Sequence, residues 1–142
     1  MSQFVPTTFG LDAINTVKGT LEIEGATNLG ILTLIDPMGS SPQTNLSSLD
    51  HTVYMLDTNP GHTFYWAINL PLLTSVPVGT KITFKRTNEG AAPRVQVRGT
   101  SPDQLDDLPT GTGARINFGW SSITLYSDGN RWLIIEYFDG SI

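Results

Sequence analysis

The stretch Ser122-Ile123-Thr124-Leu125-Tyr126-Ser127-Asp128-Gly129-Asn130-Arg131-Trp132-Leu133-Ile134-Ile135-Glu136-Tyr137 decides the fold class. Two runs rich in β-branched and aromatic residues, Ser122–Tyr126 and Trp132–Tyr137, flank Ser127-Asp128-Gly129-Asn130. Asp-Gly tolerates the positive φ values of a tight hairpin turn whose twist matches that of its strands. The segment therefore reads as a β-hairpin, and the same period-two grammar runs upstream of it.

Ile116, Phe118 and Trp120 alternate just before the hairpin, after a Pro-, Gly- and Asp-rich loop over 99–113. Arg94–Arg98 places Val95 and Val97 inward, and Lys81–Arg86 does the same with Ile82 and Phe84. Asn88-Glu89-Gly90 turns between them, so 81–98 reads as a second hairpin. Phe64–Leu70 puts Phe64, Trp66, Ile68 and Leu70 on one face, and Pro71 and Pro77 frame a connection after it. Thr52–Leu56 is a strand ahead of the turn Asn59-Pro60-Gly61. Leu29–Ile35 is more continuously apolar, as a strand buried on both faces would be, and Asp36-Pro37-Met38-Gly39-Ser40-Ser41-Pro42 breaks it. Thr20–Glu24 alternates as well.

About nine short strands at this spacing predict an all-β chain, an antiparallel β-sandwich or jelly-roll-like barrel. Leu11–Val17 is the helix candidate, poorly capped. Residues 1–18 lack β alternation and read as an N-terminal arm, leaving 19–142 as a single β domain.

The 142 residues suit one domain. Charged residues are 15% of the chain, against about 25% in average soluble domains. Polarity comes instead from 18 Thr, 11 Ser and 8 Asn. That composition argues against a coiled coil, which needs charged flanking positions, and against charge-driven disorder. There is no cysteine, which removes disulfides, thiolate metal sites and cysteine nucleophiles. No apolar run is long enough for a membrane helix, so no membrane partner is expected. Met1–Pro6 lacks the basic start and apolar core of a signal peptide. The net charge of −5 disfavours general nucleic-acid binding. Its distribution is uneven: residues 1–80 hold one base and six acids, whereas 81–142 hold seven of each.

The chemistry-bearing residues give no catalytic constellation. His51 and His62 flank a strand-turn pair, with Asp50 and Asp57 as the nearest carboxylates in sequence, but the spacing is not that of a metal site. Either histidine could meet its copies on a symmetry axis. Asp103, Asp106 and Asp107 lack the alternating spacing of a calcium loop and read as solvated carboxylates. Gly111-Thr112-Gly113 has no following Lys-Ser/Thr, and Gly119-Trp120-Ser121-Ser122 is not a nucleophile elbow. No cofactor and no enzymatic activity are expected.

On a hairpin over 81–98, Lys81, Lys85, Arg94 and Arg98 would share one polar face. Like charges on one face call for a counter-charge. It would come from the 103–107 acids, a neighbouring subunit or an acidic partner, with an anionic glycan or nucleic acid as the lesser alternative. Tyr65, Trp66, Trp120, Tyr126, Trp132, Tyr137 and Phe138 read as core or oligomer interface rather than as a sugar-stacking platform.

Two stretches carry a resemblance. Val76-Pro77-Val78-Gly79-Thr80-Lys81-Ile82-Thr83-Phe84 is similar to the Pro-x-Gly-Thr-x-Ile-Thr-Phe run of small β modules in tailed-bacteriophage structural proteins. The segment 123–135 resembles the terminal hairpin of the same modules. The resemblance spans roughly residues 76–138. It implies a non-enzymatic virion protein, foremost a homotrimeric capsid cement or decoration protein on the capsid exterior, made in the host cytoplasm before assembly. Its partner would be the major capsid protein, with Phe4 and Phe9 of the arm and the Lys81, Lys85, Arg94, Arg98 face as contacts. The alternative is a tail or head fibre module whose Trp or Tyr stacks on a host surface glycan. Independently, depletion of charge is the compositional mark of interface cores and suits a closed symmetric oligomer.

Overall fold

The computed structural model describes residues 30–88, 94–109 and 112–140. The arm, with Phe4, Phe9 and the helix candidate Leu11–Val17, lies outside the described residues, as does Thr20–Glu24.

Among the described residues nine strands form two mixed sheets, and neither closes into a barrel. The five-stranded sheet has the order β1 (Ile31–Ile35), β3 (Val53–Asp57), β5 (Lys81–Arg86), β8 (Ser122–Ser127), β9 (Trp132–Phe138). The four-stranded sheet has the order β2 (Gln43–Asn45), β4 (Trp66–Asn69), β6 (Val95–Arg98), β7 (Gly113–Ile116). Up to β6 the chain alternates between the sheets, so each circuit adds one strand to each. Neighbours laid down this way run in the same direction, and β1–β3, β3–β5, β2–β4 and β4–β6 are all parallel. The chain then reverses, and β5–β8, β6–β7 and β8–β9 are antiparallel.

Of the antiparallel β-sandwich or jelly-roll-like barrel expected from the sequence, the all-β class is seen, while the two sheets are mixed and are not closed into a barrel. Parallel neighbours need a crossover connection. Here the crossover is a strand in the opposite sheet, which period-two alternation cannot distinguish from the next strand of a hairpin.

Three local expectations also change. The segment 81–98 is not a hairpin, because β5 and β6 belong to different sheets. Ile116–Trp120 is not a strand; β7 ends at Ile116, and Trp120 adopts φ 67 in the turn before β8. The described part of the expected strand Leu29–Ile35 is not buried on both faces. Within it, β1 is the edge strand of its sheet among the described residues, with Ile31 65% and Ile35 71% exposed.

The inward residues of both sheets form one apolar cluster. Coil winding stacks like on like: Tyr54 lies opposite Phe84 in register, their rings stacked with centroids 5.3 Å apart. Trp66 of one sheet and Trp132 of the other are each 0% exposed. The terminal hairpin turns at 128–131, where Gly129 has φ 95 and the Asp128 carboxylate accepts from the Asn130 and Arg131 amides. Those two bonds hold the Asp128 carboxyl below its usual range.

The acidic loop is structural in part. Asp103 accepts from the Leu73 amide at 2.7 Å, Asp106 from the Ile134 amide at 3.0 Å, and exposed Asp107 pairs with Arg131. Leu105 between them is buried and bridges Trp132.

Candidate functional site

Residues i and i+2 of a strand share a face. With the inward set known, the outward set of each sheet comes from the register. The outer face of the four-stranded sheet carries Gln43 and Asn45 of β2, Ala67 and Asn69 of β4, Gln96 and Arg98 of β6, and Gly113 and Arg115 of β7. Tyr65 and Arg94 extend it just ahead of β4 and β6. These side chains form a connected polar layer. Asn69 donates to Gln43 Oε1 at 3.0 Å and to Asn45 Oδ1 at 2.6 Å. Its own oxygen accepts from Arg98 Nε at 3.0 Å, and Arg98 also reaches Gln43 Oε1 at 3.4 Å. Arg98 lies across Gly113, where a Cβ would strike its side chain and the Val97 carbonyl oxygen.

At the other end, Arg94 donates to the Tyr65 hydroxyl at 2.9 Å, and Arg115 lies 5.2 Å from the Tyr65 ring centroid. The Arg94 hydrogen bond, with charge from both arginines, draws the Tyr65 phenol below its usual value. A cavity of about 300 Å³ opens between the two ends, lined by Ser40, Ser41, Pro42, Gln43, Phe64, Tyr65, Ala67, Gln96 and Arg98.

The rim of that cavity is pinned by a buried ion pair. His62 Nδ1 lies 2.7 Å from Asp36 Oδ2, and Nε2 lies 2.6 Å from the Gly39 carbonyl oxygen. A carboxylate and a carbonyl oxygen both accept, so these partners favour the imidazolium, which donates from both ring nitrogens. The Asp36 hydrogen bond first, then the Gly39 bond, raise the His62 pKa above its usual value. The partner of His62 is thus Asp36 and not Asp50 or Asp57, while His51 sets its ring edge-on to Tyr54 at 5.8 Å. Among the described residues no group of three or more His, Asp or Glu is placed to hold a metal ion.

The outer face of the five-stranded sheet is different in kind. Ile31, Thr33 and Ile35 of β1 share it with Val53 and Met55 of β3, Lys81, Thr83 and Lys85 of β5, Tyr126 of β8 and Phe138 of β9. Lys85 donates to the Trp120 carbonyl oxygen, and its ammonium sits 5.2 Å from the Phe138 ring centroid.

No protein-family model matches the chain, and no curated protein matches it either.

The sequence-selected residues therefore separate. Lys81 and Lys85 stand on the five-stranded face and Arg94 and Arg98 on the four-stranded face, so the four cations do not form one patch. Of the aromatics, Trp66 and Trp132 are core, Trp120 is 49% and Tyr137 47% exposed, and Tyr126 is half-buried. Phe64 does not join Trp66 and Ile68 inside; it is exposed on the cavity wall. Sequence reasoning missed Arg115, the Gln43–Asn45–Asn69–Gln96 amides and the Asp36–His62 pair. The amides alternate with inward Thr44, Ile68 and Val97, a period-two signal readable only once strand partners are known. It also missed Arg86, which is fully buried at the inner end of β5 and donates to the Asn117 carbonyl oxygen at 2.9 Å. Burial lowers the Arg86 pKa.

Among the described residues no helix is long and apolar enough to cross a membrane.

Proposed function

We propose that the chain is a non-enzymatic structural protein of a phage virion, a capsid cement or decoration protein acting as a homotrimer. In this reading the two sheets form a β-sandwich, and copies associate through the outer face of the five-stranded sheet. The supporting observation is β1. Among the described residues it is an uncharged, proline-free edge strand, Ile-Leu-Thr-Leu-Ile, with Ile31 and Ile35 on the outer face. Soluble proteins blunt exposed edges with charges, bulges or prolines, and an apolar edge without them suits burial in an assembly. Lys81 and Lys85 at the same face would meet acidic surface of the major capsid protein. Binding only the assembled shell stabilises it by mass action.

The test is rebinding to capsids stripped of the protein. A cement protein rebinds and raises the temperature at which the shells disrupt. A protein that ignores the shells is not one. Sedimentation of the pure protein reads the subunit number, and a monomer at working concentration overturns the trimer.

A second reading is favoured by the four-stranded face. Exposed Phe64 and Tyr65 beside amides and guanidinium groups are the side chains of a sugar-binding surface, as a head or tail fibre module recognising a host glycan requires.

A further inference from the structure

We infer that the outer face of the four-stranded sheet binds an acidic saccharide, its carboxylate held by Arg98, its ring seated against Phe64, and the Arg94–Tyr65–Arg115 group supplying positive charge at the far end of the cavity. The inference rests on the glycan reading of this face and narrows it to one class of sugar.

Charge is the first support. The ion pairs Asp36–His62 and Asp107–Arg131 involve none of Arg94, Arg98 and Arg115. Three guanidinium groups thus stand on one face with no carboxylate of the described residues against them. Arginine presents a planar fork that matches a carboxylate.

Preorganisation is the second. Asn69 and Gln43 fix Arg98 from one side through its Nε and one terminal nitrogen. The Tyr65 ring and hydroxyl hold the other two arginines. A ligand meeting groups already held loses less side-chain entropy on binding.

Size and lining are the third. A cavity of about 300 Å³ sits at the small end of ligand sites and suits a sugar unit, not a long polymer. Its wall pairs aromatic rings with hydroxyls and amides, as a ring with an apolar face and a polar edge demands. A nucleic acid would need a longer basic track than three arginines on a chain of net charge −5.

The experiment is a titration of the full chain, followed by amide NMR shifts. The probes are glucuronate oligosaccharides, neutral glucose oligosaccharides of equal length and a single-stranded oligonucleotide. Saturable glucuronate binding that weakens with salt, with shifts at Tyr65, Gln96 and Arg98, is expected. Arg98→Gln should weaken it about ten- to a hundredfold, the range for losing a charge-assisted hydrogen bond, and Arg115→Gln should weaken it by less. Lys81→Gln on the other sheet should leave it unchanged. Lys81 and Arg115 are exposed and Arg98 is half-buried, and circular dichroism verifies that each variant folds. Equal binding of neutral and acidic sugars overturns the acidic class while keeping the glycan reading. No sugar binding overturns both. Tighter oligonucleotide binding overturns the inference in favour of a phosphate site.

Discussion

The two sheets are alike inside and opposite outside. Their inner faces both read as alternating Ile, Leu, Val and aromatic residues, and together they make one core. Outside, the four-stranded sheet is an ordered layer of amides and guanidinium groups. The five-stranded sheet ends in exposed isoleucines. A β-strand writes its two faces independently, so one core can carry two surfaces for two purposes. Burial suits the isoleucine face, because water leaves it at a gain of about 25 cal/mol per Å². Hydrated recognition suits the amide face, because its polar groups already hold one another in place.

The largest effects test the likeness of the interiors. Trp66→Ala and Trp132→Ala should each destabilise the fold by about 3–5 kcal/mol, read from urea unfolding, because each empties a fully buried indole site. Phenylalanine substitutions then separate the sheets. Trp66 Nε1 donates to Thr44 Oγ1 at 2.9 Å, whereas Trp132 Nε1 has no hydrogen-bond partner among the described residues. Trp66→Phe should therefore cost about 1–2 kcal/mol more than Trp132→Phe, since only the former strands a partner. Equal costs would erase this distinction.

Next comes the packing beneath the amide face. Gly113→Ala forces a Cβ onto the Val97 carbonyl oxygen and the Arg98 side chain. Overpacking of this kind costs about 1–3 kcal/mol. Faster amide hydrogen exchange confined to β6 and β7, with the five-stranded sheet unaffected, is the expected pattern.

A pH-dependent difference is expected at the cavity rim. His62 has a raised pKa because Asp36 and the Gly39 carbonyl oxygen bind its protonated form, and the Phe64 ring lies beside it at 5.9 Å between centroids. A group whose pKa is higher folded than unfolded contributes fully below its unfolded value, about 6.5 for histidine. That contribution is lost as pH rises through the folded pKa. The urea midpoint of the natural chain should fall across that window, and Asp36→Asn should flatten the fall. An equally steep fall in the variant would remove His62 as its source.

What was legible in the sequence was local. The Asp128-Gly129 hairpin and the bounds of β5 rest on residues within one turn of each other. Strand partners did not, because alternation states that a strand has two faces and says nothing about its neighbour. β1 reads as doubly buried because Ile31-Leu32-Thr33-Leu34-Ile35 carries four apolar residues in five, and its edge position among the described residues leaves Ile31 and Ile35 exposed. β2 was invisible because Gln43-Thr44-Asn45 has no apolar residue to alternate. The Asp36–His62 pair joins residues from two circuits of the coil, and only the winding brings them together. The supposed basic patch failed for the same reason in reverse, since Arg86 and Val95 are near in sequence and sit in opposite sheets.

The smallest effect on stability is expected where the effect on assembly is greatest. Ile31→Lys and Ile35→Lys replace exposed side chains, so each should change the unfolding free energy by no more than about 0.5 kcal/mol. Each also places a charge on an edge strand that has none, the device by which soluble sheets resist edge and face pairing. If the isoleucine face is the contact between copies, sedimentation should shift these variants to monomers while their urea curves overlay that of the natural chain. Arg98→Gln should do the opposite, leaving the oligomer intact because it alters only the amide face. Should the isoleucine variants associate as before and Arg98→Gln dissociate, the assignment of the two faces is reversed: the guanidinium layer is then the joint between copies, and the apolar edge serves another partner.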